Sequence, residues 1–218
     1  MSAAALEAVV FDNDGLLLDT EVAWTRAEVG LFAVHGVEFT IGHKRDMIGS
    51  SRAVAMGKLE RMLAQPPGSG EALMDELHRL VMEELLAGVE PMPGALALLD
   101  ALAAAGLPVA VATNSSRDFV TRALDVAGIA DRFAAVVSAS DVANAKPAPD
   151  VYLAACAALG AEPARCAGLE DTPTGVAAVR AAGMLAIGVP SLDGVTLDEA
   201  HVVGTSLADP AVHAALGV

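Results

Sequence analysis

Aromatic side chains are scarce in this 218-residue chain: five Phe, one Tyr and one Trp, 3% of the residues. The core must therefore be built from Ala, Val and Leu, and a hydrophobic content of 54% supplies enough of them. That suffices for one large domain, or for a core with a smaller insertion. Cations are scarce too. Lys and Arg number 13 against 28 Asp and Glu, which argues against binding a phosphodiester backbone or an anionic membrane. Small anions stay open, because they need only a local positive patch. No apolar run reaches the ~18 residues of a membrane span. Met1–Glu7 has neither the basic nor the apolar region of a signal peptide, so a cytoplasmic location is expected. Only two cysteines occur, Cys156 and Cys166, with no His beside them; they are expected as free buried thiols in a reducing compartment. His35, His43, His78, His201 and His213 show no metal-ligand spacing and are read as structural, although His43, beside Lys44 and Arg45, leaves a substrate role open.

What the chain does have is a regular order. After Gly94, helix and strand patterns alternate. Ala95–Ala105 is an Ala/Leu helix closed by Gly106, Pro108–Ala112 a buried strand, and Ser116 an N-cap for a helix to Ala127 ahead of Gly128. Strand Ala134–Val137, helix Asp150–Leu159 and strand Cys166–Leu169 follow. Helix Pro173–Ala182 has Pro in its first turn, and strands Leu185–Val189 and Val202–Val203 complete the series. Together with the run Ala8–Phe11, these continuous apolar strands between amphipathic helices specify an α/β fold, a Rossmann-like parallel sheet covered on both faces. Thr20–Gly88 carries no strand pattern, only helical stretches near 22–35, 52–63 and 71–86, the last two parted by Pro66-Pro67-Gly68-Ser69-Gly70. The expected organisation is a core of residues 1–18 and 90–218 with an inserted α-helical cap, residues 19–89, able to act as a lid.

A parallel sheet brings the C-terminal residue of every strand to one edge, where ligands of open α/β sheets collect. Four polar groups arrive there. They are Asp12 and Asp14 in Val9-Val10-Phe11-Asp12-Asn13-Asp14-Gly15; Thr113-Asn114-Ser115; Lys146, one of only three lysines; and Glu170-Asp171. Taken singly, each has an ordinary explanation: an Asx-rich turn, a capping turn, a surface lysine, acids at a helix start. As a set they describe a chemistry. Four carboxylates in one place are tolerable around a cation, and hard oxygen ligands beside a substrate phosphate suit Mg²⁺. Lys146 and the Thr113 hydroxyl serve an anion, consistent with phosphoryl transfer driven by charge stabilisation. A carboxylate nucleophile can form an aspartyl-phosphate, and a second carboxyl two residues on can act as acid and then base.

These four segments, in this order across nearly the whole chain, resemble the haloacid dehalogenase superfamily. The resemblance implies a helical cap after the first motif and assigns roles. Asp12 is the nucleophile and a Mg²⁺ ligand. Asp14 is acid and then base, its main-chain carbonyl also on the metal. Thr113 and Lys146 hold phosphoryl oxygens, with Asn114 beside them in the substrate site, and Glu170 and Asp171 complete the metal ligands. Asn13 stands where the family often has an apolar residue and is expected to disturb neither carboxylate. Asp14 also sets the branch, since dehalogenases of the superfamily lack this acid, phosphonate hydrolases usually carry Ala and transport ATPases Thr. Leu16-Leu17-Leu18-Asp19-Thr20-Glu21 and the stretch Lys146–Gly188 resemble the group of β-phosphoglucomutase and small sugar-phosphate phosphatases. Trp24 takes the place of the mutase's cap-linker His, and Glu21-x-x-Trp24 is similar to bacterial hexose-phosphate phosphatases. Arg52, in Gly49-Ser50-Ser51-Arg52, matches a cap arginine that touches the substrate's distal group, or else is a solvated arginine at a helix start. The expectation is a Mg²⁺-dependent phosphatase acting on a small phosphorylated metabolite, a sugar or polyol phosphate. Mutase chemistry and a catalytically idle metabolite-binding protein are the alternatives, and neither nucleic acid nor membrane is an expected partner.

Overall fold

A computed structural model describes residues 6–48, 50–192 and 194–218. Gly49, quoted above beside Arg52, and the first five residues of the N-terminal stretch lie outside them. The chain forms two compact units, Met1–Asp19 with Glu90–Val218, and Thr20–Val89. In chain order, strand β1 (Ala8–Phe11) is followed by helices α1 (Glu21–Val34), α2 (Ile41–Met47), α3 (Arg52–Met62) and α4 (Gly70–Leu86). Then come α5 (Ala95–Ala104), β2 (Val109–Thr113), α6 (Arg117–Val126), β3 (Ala135–Ser138) and α7 (Asp150–Leu159). The series ends with β4 (Cys166–Glu170), α8 (Pro173–Ala181), β5 (Leu185–Gly188), β6 (Val202–Val203) and α9 (Pro210–Leu216).

All strands belong to one parallel sheet in the order β3-β2-β1-β4-β5-β6. The order reverses at β1, so the crevice between β1's neighbours is the topological switch point, where such sheets bind ligands. Register aligns the ends. Phe11 pairs with Val111 on one side and Leu169 on the other, while Thr113 pairs with Ser138. Strands β1, β2 and β4 are buried along their whole length. Small residues permit this: a Cβ at Gly168 would lie 2.7 Å from the Val179 side chain of α8. Burial of aliphatic surface at about 25 cal/mol per Å² is the main driving force for this core. Cys156 and Cys166 are free and buried within it.

In the helical unit, α1 packs on α4 and α4 on α3. The buried residues of α4 include Leu73, Leu77, Val81 and Leu85, one every four residues, a ridge along one face. Phe32 of α1 meets Phe39 edge to face at 5.0 Å. The sequence reading passed over α2 and α9. Both are seven residues long, too short for helical periodicity to declare itself. Their caps carry the signal instead: Thr40 and His43 form a capping box, and Asp209-Pro210 opens α9 before Gly217 closes it. Among the described residues no helix is long and apolar enough to cross a membrane.

Candidate active site

The site begins where β1 ends. The Asp12 main-chain N–H donates to Leu169 O of β4 at 3.0 Å, carrying the strand one residue past its last pair. Gly15 then turns the chain at φ +80°, and a Cβ there would lie 2.6 Å from Asp171 Oδ2. Both the backbone and the space therefore require glycine. Asp12, Lys146, Glu170 and Asp171 are all buried.

Lys146 Nζ lies 2.5 Å from Asp12 Oδ1 and 2.5 Å from Glu170 Oε1. The same Glu170 oxygen accepts the Tyr152 hydroxyl at 2.6 Å, and the ammonium stands 5.0 Å over the Tyr152 ring. Lys146 is placed by Asn114. The Lys146 N–H donates to Asn114 Oδ1 at 2.8 Å, and Asn114 Nδ2 donates back to Lys146 O at 3.3 Å. Both ends of the Asn114 carboxamide thus serve the lysine main chain.

One oxygen from each of Asp12, Glu170 and Asp171 lies within 4.8 Å of the others. The Asp14 carboxylate is not part of this cluster. Its Oδ2 accepts the hydroxyls of Ser115 at 2.6 Å and Thr113 at 3.1 Å, and its Oδ1 accepts Asn13 Nδ2 at 3.0 Å. Three buried carboxylates face one ammonium, and the imbalance shows in the affinity of Asp12 and Asp171 for protons. Burial, reinforced by Glu170 and Asp14 and opposed by Lys146, pushes the Asp12 carboxyl up to about 7. Asp171 is held well above the carboxylate range by burial and by Asp12 and Glu170. Burial alone would lower Lys146, but Asp12 and Glu170 outweigh it and raise the ammonium above an ordinary lysine. Asp171 Oδ2 accepts Ser191 Oγ at 2.7 Å, whereas its buried Oδ1 has no hydrogen-bond partner among the described residues. An unsatisfied oxygen within a cluster of excess negative charge fits a hard divalent cation held by oxygen ligands.

A cavity of about 170 Å³ opens beside Gly15 and Ser191. Its walls among the described residues, which include Leu16, Met92, Val189 and Leu207, carry no charged side chain. Arg52 opens α3 in the helical unit, where its guanidinium donates to Glu71 at 2.8 Å and Asp75 at 2.6 Å. Sequence reasoning gave no role to Tyr152, Ser115 or Ser191. Ser115 stood within a quoted motif and Tyr152 is the only tyrosine, but nothing local marked Ser191.

Sheet topology, switch point and acid–lysine cluster give an α/β core with a candidate active site at the sheet edge. A family model described as haloacid dehalogenase-like hydrolase matches residues 6–183, and the chain belongs to that family. Hexitol phosphatase B of Escherichia coli (strain K12) is 31% identical over 195 residues, 84% of this chain and 83% of that protein. Protein SUPPRESSOR OF QUENCHING 1, chloroplastic, of Arabidopsis thaliana is 34% identical over 199 residues, 89% of this chain. The chain spans only 18% of that longer relative. Among solved structures, CbbY from Rhodobacter sphaeroides in complex with phosphate superposes with a TM-score of 0.81 at 25% identity, covering 93% of this chain and 95% of that one. The chain is an enzyme of this family, a phosphatase.

Proposed function

We propose that the enzyme hydrolyses a small phosphorylated metabolite, a sugar or polyol phosphate, through an aspartyl-phosphate on Asp12 with Mg²⁺ as cofactor. The observation that carries this reading is the buried cluster of Asp12, Glu170 and Asp171 bridged by Lys146, with Asp171 Oδ1 unpartnered among the described residues. The similarity to a hexitol phosphatase and the phosphate in the CbbY complex support the substrate class.

In this reading Asp12 attacks phosphorus, forming an Asp12 O–P bond as the bond to the leaving oxygen breaks. Asp14 gives its proton to that departing alkoxide, which is too basic to leave unprotonated. Asp14 then takes a proton from the water that attacks phosphorus, so the Asp12 O–P bond breaks and inorganic phosphate is released. Thr113 and Lys146 hold phosphoryl oxygens, and Lys146 also offsets the charge of Asp12. Asp12, Glu170 and Asp171, with the Asp14 main-chain carbonyl, would hold the Mg²⁺. When bound, the ion supplies positive charge to the phosphoryl oxygens and keeps Asp12 ionised. The helical unit is proposed as the cap that selects the substrate, with Arg52 a contact to its distal end.

The test is product analysis on a panel of sugar and polyol phosphates, including β-glucose 1-phosphate with its bisphosphate activator, with and without Mg²⁺, and with Asp12→Asn as control. Mg²⁺-dependent free phosphate, lost in the variant, supports the reading. Glucose 6-phosphate formed without free phosphate would replace it with a mutase. Binding with no turnover would make the protein a metabolite binder.

A further inference from the structure

Strand β5 ends at Gly188, which pairs with Glu170, and Val189 N–H then donates to Glu170 O at 2.8 Å. Contact between β4 and the β5 chain thus continues past the strand, and Pro190 keeps Val189 extended. Ser191 is carried alongside Asp171, and its Oγ donates to Asp171 Oδ2 at 2.7 Å. Among the described residues this is the one hydrogen bond to the Asp171 side chain, since Oδ1 is buried without a partner. Gly15 makes room for the pair. A Cβ there would lie 2.6 Å from Asp171 Oδ2 and 3.1 Å from Ser191 Oγ. Rotation about the Cβ–Cγ bond of an aspartate is broad, with no sharp well to hold the carboxylate plane. With the Asp171 side chain buried, a donor on Oδ2 fixes that rotation, and with it the direction in which Oδ1 points.

We propose that Ser191 is a positioning residue for Asp171, holding its carboxylate so that Oδ1 is presented to the Mg²⁺. The inference rests on the metal assignment in the functional reading above. Mg²⁺ demands nearly ideal octahedral geometry, so a ligand oxygen that swings out of line binds it poorly. Loss of a partner that orients a metal ligand costs about ten- to hundredfold in metal affinity. Ser191 also lines the cavity of about 170 Å³, where Ser206 is a second hydroxyl on the wall. Ser206 Oγ accepts Ala208 N–H at 3.3 Å and makes no hydrogen bond to Asp171, so the two serines separate the cavity from the carboxylate.

The experiment titrates Mg²⁺ into the metal-free wild type, Ser191→Ala and Ser206→Ala by isothermal calorimetry. Ser191→Ala should raise the dissociation constant about tenfold or more, and Ser206→Ala less than about twofold. Thermal unfolding is followed alongside, with and without Mg²⁺. A purely structural role for the Ser191 hydroxyl would lower the unfolding temperature equally in both conditions and leave the dissociation constant unchanged. The positioning role instead widens the gap between variant and wild type once Mg²⁺ is added at a concentration that half-saturates the wild type. Phosphatase activity lost in Ser191→Ala should return when Mg²⁺ is raised in proportion to the new dissociation constant. If the alanine variant does not fold, Ser191→Cys puts a weak donor in the same place and should weaken Mg²⁺ binding about threefold or more. An unchanged dissociation constant on substitution of Ser191, or an equal rise in Ser206→Ala, would overturn the proposal. A wild type that takes up no Mg²⁺ fails the metal assignment itself, whereas a wild type that binds it no better than Ser191→Ala fails Ser191 alone.

Discussion

Tyr152 donates its hydroxyl to the Glu170 oxygen that also receives Lys146, at 2.6 Å and 2.5 Å respectively. One carboxylate oxygen thus anchors both the aromatic floor and the ammonium above it. Tyr152→Phe keeps the ring beneath Lys146 and removes one hydrogen bond to a buried charge. The expected cost is about 1.5–3 kcal/mol of unfolding free energy, measured by denaturant titration. A change under about 0.5 kcal/mol would mean that the hydroxyl does not hold Glu170.

Gly175 should tolerate no side chain, although it lies inside α8. A Cβ at this position would sit 1.8 Å from Glu170 Cδ and 1.9 Å from Oε2. Gly→Ala in an ordinary helix gains roughly 1 kcal/mol, so a surface glycine would give a more stable variant. Here the substitution must push the Glu170 carboxylate off Lys146 and Tyr152. Gly175→Ala is therefore expected to unfold at lower temperature and to lose phosphatase activity, read by calorimetry and phosphate release. Wild-type stability in this variant would show that Glu170 has somewhere else to go.

The carboxylate cluster predicts a pH dependence whose sign follows from Asp12. Its carboxyl is pushed up to about 7 in the folded protein, against about 4 unfolded. Between those values the folded state binds the additional proton. Its stability therefore falls as pH rises, by roughly 1.4 kcal/mol per pH unit for one proton, and levels off above pH 7. Asn at this position mimics the protonated acid. Metal-free Asp12→Asn should match the wild type near pH 4 and be progressively more stable towards pH 8, the difference shrinking when Mg²⁺ is added. A difference that stays constant with pH would refute the crowded-carboxylate account.

The parts of the site that lie along the chain were legible, and those made by contact were not. Asp12, Glu170 and Asp171 could be placed together because apolar strands end at them and parallel strands end at one edge. Strand bounds slipped by a residue at Thr113, Ser138 and Glu170 because a polar terminal residue reads as turn while its backbone still pairs. Asn114 was read as facing substrate, yet its amide is occupied by the Lys146 main chain 32 residues away. Ser191 reaches Asp171 across 20 residues and Asn13 turns onto its own neighbour. Side-chain direction of this kind depends on packing, which neither periodicity nor motif spacing encodes.

The helical unit contains a second buried charge cluster, and its energetics can be separated by a double-mutant cycle. Lys44 Nζ of α2 lies 3.0 Å from Glu28 Oε2 and 2.7 Å from Glu21 Oε2, both on α1. Lys44 and Glu28 are buried, and burial raises the Glu28 carboxyl despite the neighbouring ammonium. Lys44→Met leaves Glu28 buried beside Glu21 with no cation, a loss expected at about 3–5 kcal/mol. Adding Glu28→Leu removes the stranded charge, and the double variant should regain most of that loss, because two packed apolar side chains replace a pair that pays heavily for desolvation. Denaturant unfolding of the wild type, both single variants and the double variant gives the coupling directly. Strict additivity, with the double variant as unstable as the two single losses summed, would show that Lys44 acts through its aliphatic stem and not through its charge.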